Sequence, residues 1–343
     1  MVQIHAVPAF QDNYVWMLVA DGQAAAVDPG EAAPVQRFLE SRGLVLAAIL
    51  ATHHHPDHIG GVPELVSRWN CPVFGPAHDG IEGLDRRLAE GDALEVPGLG
   101  YRVRVLDIPA HTAGHIAFVH DGPDPAVFCG DTLFACGCGR LFEGTAAQMS
   151  ASLAKLAALD PATRVYCGHE YTLSNIRFAE AVEPGNARLV QRKVRDTATR
   201  ERGEPTLPST IGEELATNPF LRCGKPTVVA AAEDHARGAL AGEVEVFATI
   251  RAWKQFSPLT RNEILSATVS LSRNIATCSN KLKSLKASAQ LTVIPARSMK
   301  ANIPNTCPAL GFPPAYFPCS ARLRFSADFS APMKTSAAVR NSP

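Results

Sequence analysis

No apolar run in this sequence approaches the ~20 residues needed to cross a membrane; stretches such as 44–51 (LVLAAILA) are among the longest. A spanning protein is therefore not expected. The opening residues (MVQIHAVPAFQDNYVW) lack a basic segment followed by an apolar one, so no secretory signal is expected either. A disulfide framework is missing too: nine cysteines are scattered over 343 residues, and an odd count suits a reducing cytoplasm. Net charge is absent, with 33 basic against 33 acidic residues. What is present is a globular balance, 46% apolar and 19% charged, at a length comfortable for two domains.

The zero net charge hides a division. Residues 259–343 carry 11 Lys and Arg but only Glu263 and Asp328, while every histidine lies earlier. Ser, Ala and Pro dominate this stretch, and no helical or strand period is sustained. Such a composition buries too little apolar surface to offset the entropy of ordering the chain. It is expected to be a low-complexity basic tail, disordered and dispensable, of the kind an out-of-frame or read-through extension gives. A nucleic-acid partner for it is not expected, because no basic cluster is tighter than Lys281, Lys283 and Lys286.

Over 1–258 the first two-thirds alternates β-rich and helical runs. Strands are expected at 14–20, 24–28, 46–52, 101–108, 115–120, 126–130 and 163–167. Helices are expected at 31–42, 60–69 and 145–158, the last opening at Thr145 and closing before Pro161. From about 172 the β signal stops, and 172–182, 186–202, 209–216 and 243–255 read as helices separated by Pro/Gly breaks. The fold class is thus α/β with a helical cap.

The chemistry gathers at strand ends, where sites form in α/β sheets. THHHPDH, Thr52 to His58, directly follows an apolar strand. In an extended segment His53 and His55 project to one side; after Pro56 turns the chain, Asp57 and His58 face a second position. Imidazole and carboxylate donors suit a borderline cation such as zinc. His111, Asp131 and His169 each follow a further expected strand, the last two directly after Gly130 and Gly168. Asp28, before Pro29-Gly30, could support a metal ligand but reads first as a turn former. Cys136 and Cys138 are too close together for a zinc knuckle and belong to a Gly-rich loop.

The run THHHPDH, HTAGH, GDTLF and GHEYT resembles the metallo-β-lactamase superfamily. CGCGRLFEGT, GHEYTLSNIRFA, TNPFLR and FATIRAWK narrow the likeness to the glyoxalase II (hydroxyacylglutathione hydrolase) family, over roughly 1–258. The resemblance implies an αββα sandwich over 1–170, a smaller helical domain over 171–258 that binds glutathione, and the tail 259–343. It implies two divalent metal ions per chain, zinc first, with iron or manganese also suited. One ion is assigned to His53, His55 and His111, the other to Asp57, His58 and His169, with Asp131 bridging; Asp57 and Asp131 are assigned a catalytic part. His54 and His115 are not ligands in that pattern. Arg140, Tyr171, Arg251 and Lys254 are placed around glutathione, whose carboxylates need cationic partners. Phe142 stands where some members carry tyrosine.

The implied reaction is hydrolysis of S-(2-hydroxyacyl)glutathione thioesters by a hydroxide held between the ions, with S-D-lactoylglutathione giving glutathione and D-lactate. That is the second step of methylglyoxal detoxification. A cytoplasmic monomer without membrane partner is expected. The rivals are another metallohydrolase or a one-iron persulfide dioxygenase on the same scaffold, which should lack the Arg251/Lys254 helix.

Overall fold

The computed structural model describes residues 1–257. The expectation of a disordered, dispensable tail at 259–343 lies outside the described residues.

Two six-stranded sheets form the centre of the fold. The first runs in the order β1 (Gln3–Ala9), β2 (Asn13–Ala20), β3 (Gln23–Val27), β4 (Val45–Leu50), β5 (Val73–Pro76) and β6 (Arg86–Leu88). The second contains β7 (Ala93–Val96), β8 (Tyr101–Asp107), β9 (Ile116–His120), β10 (Ala126–Gly130), β13 (Arg164–Cys167) and β14 (Ser209–Thr210), in the order β14-β13-β10-β9-β8-β7. A small hairpin, β11 (Leu133–Phe134) with β12 (Gly137–Cys138), lies apart from both.

Strand β2 shows why the sheets pack as they do. Its side chains alternate between two cores, as a period of two requires. Tyr14, Trp16 and Leu18 join a large core with Val103, Val105, Phe118 and Phe128 of the second sheet. Val15 and Met17 face the other way, toward Val35 and Leu39 of α1 (Ala32–Arg42) and Leu65 of α3 (Val62–Trp69). Each such fully buried side chain contributes about 1.5–3 kcal/mol. Helix α4 (Ala146–Ala157) adds Met149, Leu153 and Leu156 to the large core. A capping box starts it: Thr145 Oγ1 accepts from the Gln148 N–H while Gln148 reaches back to the Thr145 N–H. The architecture is an αββα sandwich.

The remainder is mostly helical: α5 (Thr172–Val182), α6 (Ala187–Glu201), α7 (Ile211–Thr217), α8 (Pro226–Ala236) and α9 (Glu243–Phe256). Several elements differ from the expectations. The helix expected at 60–69 begins at Val62 as α3, and a separate single turn, α2 (Pro56–Ile59), precedes it. The segment 209–216 begins as the short strand β14, which extends the second sheet beside β13 before α7 starts. No described helix is long and apolar enough to cross a membrane.

Candidate dinuclear metal centre

The ends of β4, β8, β10 and β13 converge on one site. His53 and His55 follow β4, and their ring atoms meet His111 from the loop after β8. His53 Nε2 lies 3.1 Å from His55 Nδ1, which is 3.0 Å from His111 Nε2. The far nitrogens are occupied: His111 Nδ1 donates to the Arg140 carbonyl at 3.0 Å, and His53 Nδ1 is 3.0 Å from Thr52 Oγ1. Those outer bonds turn the lone pairs inward. Burial pushes His53 well below the usual imidazole range and His111 down to about 4, and it lowers His55 too. Three neutral imidazoles therefore converge on one point.

Backbone strain helps to aim His111. Ala110, directly before it, has φ 147°, a conformation costly for any residue with a Cβ. Its N–H donates to the Thr112 carbonyl, and its own carbonyl accepts from Gly144.

A second group lies alongside. Donor atoms of Asp57, His58 and His169 fall within 4.8 Å of one another. Asp57 Oδ2 is 3.6 Å from His58 Nε2 and 3.5 Å from His169 Nε2. Asp131, after β10, stands between the groups. Its Oδ1 is 3.3 Å from His58 Nε2, and its Oδ2 is 3.2 Å from His169 Nε2 and 3.4 Å from His111 Nε2. Gly168 permits this closeness, since a Cβ there would fall 2.6 Å from both Asp131 Oδ1 and His58 Cε1.

The electrostatics of this half are opposite. Burial alone would raise both carboxyls, yet His58 and His169 hold Asp57 below and Asp131 well below the usual carboxylate range. Burial likewise opposes charge on the two imidazoles, but Asp131 and Asp57 push His58 up to about 10, and Asp131 foremost raises His169 well above its ordinary value. A cation binding here would compete with protons for these imidazoles.

Of the supporting residues, Asp12 and Asn13 carried no clear signal in the sequence. Asp28, read first as a turn former, does have a left-handed φ of 53°, but it also takes the Thr52 N–H at 2.7 Å and lies 3.1 Å from His58 Nδ1. Asp12 faces His169 Nδ1 at 2.9 Å, and Asn13 Nδ2 donates to Asp57 Oδ2 at 3.1 Å. Asp12 and Asn13 are single polar residues at the β1–β2 turn, and only the fold brings them to the site. Asp28, His53 and His58 also lie within metal-ligating distance of one another. Both Asp28 oxygens already accept from Thr52, which marks it as a support rather than a ligand. His115 is buried, stacked on His53, and accepts the Asp131 N–H at 3.1 Å.

The donor set fits a pair of divalent cations. Imidazole nitrogen with carboxylate oxygen is the preferred chemistry. His58 Nε2 and Asp131 Oδ1 are also buried with no hydrogen-bond partner, which is rare for polar atoms unless another group completes them.

Residues 10–169 match the metallo-β-lactamase superfamily, and residues 170–256 match the hydroxyacylglutathione hydrolase C-terminus. A hydroxyacylglutathione hydrolase from Alkalilimnicola ehrlichii is 58% identical, the match covering 75% of this chain and 100% of that protein. Others from Cupriavidus taiwanensis and Pseudomonas putida are 55% and 52% identical, covering 74% of this chain and 98% and 99% of theirs. The chain belongs to the hydroxyacylglutathione hydrolase (glyoxalase II) family.

The part of the chain matching that family's C-terminus lies against the metal centre's loops. Arg251 and Lys254 on α9 are buried, not on a solvated face, at 6% and 4% exposure. Arg251 Nη1 donates to the Cys138 carbonyl at 3.4 Å, two residues before Arg140, and its Nε is buried without a partner. Lys254 Nζ donates to Asn175 Oδ1, and Asn175 in turn donates to the Ala135 carbonyl at 2.8 Å. Tyr171 stacks on His169, with ring centroids 4.7 Å apart. Phe142 is 60% exposed and meets His55 and His111 edge-on.

Proposed function

We propose that this chain hydrolyses S-(2-hydroxyacyl)glutathione thioesters, with S-D-lactoylglutathione the principal substrate, as the second step of methylglyoxal detoxification. The observation that carries the reading is the pairing of the two-part His/Asp centre with two buried cations, Arg251 and Lys254, packed against the loop that leads to Arg140.

His53, His55 and His111 would hold one ion, Asp57, His58 and His169 the other, and Asp131 would serve both. Zinc is the proposed metal, with iron or manganese compatible with the same donors. Two divalent cations supply Lewis acidity, which polarises a carbonyl and eases proton loss from water near neutral pH.

The chain's own groups do the rest. Asp57 presents a carboxylate that is 41% exposed, so it lies on the side open to substrate, and Asn13 fixes its orientation. Tyr171, stacked on His169, walls the glutathione side. Arg140, Arg251 and Lys254 set positive charge for the glutathione carboxylates, where charge-assisted hydrogen bonds are strongest. Water oxygen adds to the thioester carbon, the C–S bond breaks, and the products are a carboxylate, a thiol and one proton. A one-iron dioxygenase would not need His58 as a ligand, whereas His58 Nε2 here points at Asp131 Oδ1 at 3.3 Å and lies 3.6 Å from Asp57 Oδ2.

The enzyme is proposed to act as a monomer in a reducing cytoplasm, without nucleic-acid or membrane partner. Six buried cysteines among the described residues are free thiols, which suits that compartment. The test is a comparison of S-D-lactoylglutathione with a simple lactoyl thioester. Rapid hydrolysis of the first alone supports the reading, and equal rates on both would remove glutathione from it.

A further inference from the structure

The loops that carry the three-histidine group are tied together by a residue outside it. Asp79 lies in the 77–85 segment after β5, which supplies no ligand, and it is buried. Its Oδ2 accepts the His54 backbone N–H at 2.7 Å and the Thr112 hydroxyl at 3.0 Å, and lies 3.1 Å from His54 Nδ1. Its Oδ1 accepts the Gly114 N–H at 3.0 Å. His54 sits between His53 and His55, while Thr112 and Gly114 flank the His111 loop. One carboxylate thus fixes both ligand-bearing loops.

Two further details tighten the arrangement. A Cβ on Gly114 would fall 2.3 Å from the His78 carbonyl carbon and 2.5 Å from the Asp79 nitrogen, so the loop lies on the Asp79 backbone at a separation only glycine allows. Glu143 completes a bridge: its Oε1 is 3.4 Å from His54 Nε2 and its Oε2 accepts the Ala113 N–H at 2.7 Å. His54, Asp79 and Glu143 are themselves close enough to hold a cation. Asp79, however, already accepts three hydrogen bonds, and a cation there would compete with them. The group is a clamp.

We propose that Asp79 is a positioning residue that assembles the three-histidine site through His54 and the 111–115 loop before any cation arrives. Three imidazole lone pairs about 3 Å apart do not attract one another, so their convergence must be imposed from outside. Losing an outer partner of a metal site costs roughly 10–100-fold in affinity. The Asp79→Asn substitution keeps the volume but places an NH2 against groups that donate, turning one attraction into repulsion.

The inference rests on the two-ion reading, and zinc(II) binding to metal-free protein, measured against a competing chelator, tests both. Wild type should bind two ions. Asp79→Asn should weaken one of them at least tenfold and the other less than threefold, and the loss should persist in an Asp57→Ala background, where the three-histidine ion remains. Glu143→Gln, at the exposed end of the bridge, should weaken the same ion about threefold with the metal-free melting temperature unchanged. Unchanged affinities in Asp79→Asn, or equal weakening of both ions with a lower metal-free melting temperature, would overturn the proposal. So would an unaltered Glu143→Gln if Asp79→Asn fails to fold. Fewer than two ions on wild type would remove the two-ion reading itself and this inference with it.

Discussion

Asp131 Oδ1 faces His58 Nε2 at 3.3 Å, and both atoms are buried without a hydrogen-bond partner. The two groups attract each other as an ion pair without hydrogen-bond geometry, and a cation held between them would engage both atoms directly. Asp131→Asn keeps the shape but halves the number of anionic carboxylates at the centre. It should lose at least one of two ions by elemental analysis and lower turnover at least a hundredfold. Two retained ions with full turnover would show that Asp131 is not the bridge.

Asp57 belongs to one half of the centre only. Asp57→Ala should therefore remove one ion and leave the other. Because it lies on the open side, turnover should fall much more than the Michaelis constant rises. Unchanged metal content in this variant would refute its assignment as a ligand.

Much of this was legible in the sequence because the signals were local. The strand before THHHPDH, the capping residue Thr145 and the breaks at Pro184-Gly185 and Asn218-Pro219 each act within a few residues, and the elements they mark are present. Less legible were β1, whose run is mostly half-exposed, and β5, β6 and β7, which at three or four residues are too short to establish a period. Helix α8 was missed as well; its alanine-rich run offers little apolar period. The residues that orient the ligands, Asp12, Asp28 and Asp79, come from turns far away in the chain. No spacing rule links Asp12 to His169 or Asp79 to Thr112.

Arg251 and Lys254 should act on binding rather than chemistry. Charge-assisted contacts are worth ~1.5–3 kcal/mol each, and ~1.4 kcal/mol is a factor of ten. Replacing both with alanine should raise the Michaelis constant for S-D-lactoylglutathione at least tenfold, with turnover changed much less. A simple thioester should be hydrolysed equally poorly by both forms. An unaltered Michaelis constant in a folded double variant would end the glutathione assignment and leave the metallohydrolase intact.

Glu183 provides a pH test away from the centre. Burial works against its charge, but hydrogen bonds from Arg222, Thr227 and Asn186 hold the carboxyl down to about 2. Its folded pKa lies below the unfolded one, so its contribution is complete above the unfolded value of 4.5 and is lost as pH falls toward about 2. Glu183→Gln should cost about 1–2 kcal/mol at pH 7, with the gap to wild type closing over that acidic window. A gap constant from pH 7 to pH 2.5 would mean that shape, not charge, is what Glu183 provides.

The most direct measurement is a titration of metal-free protein with zinc(II), following hydrolysis of S-D-lactoylglutathione at each addition. Activity should rise until two equivalents per chain are bound and then level off. A plateau at one equivalent, or hydrolysis without any metal, would contradict the two-ion thioester hydrolase.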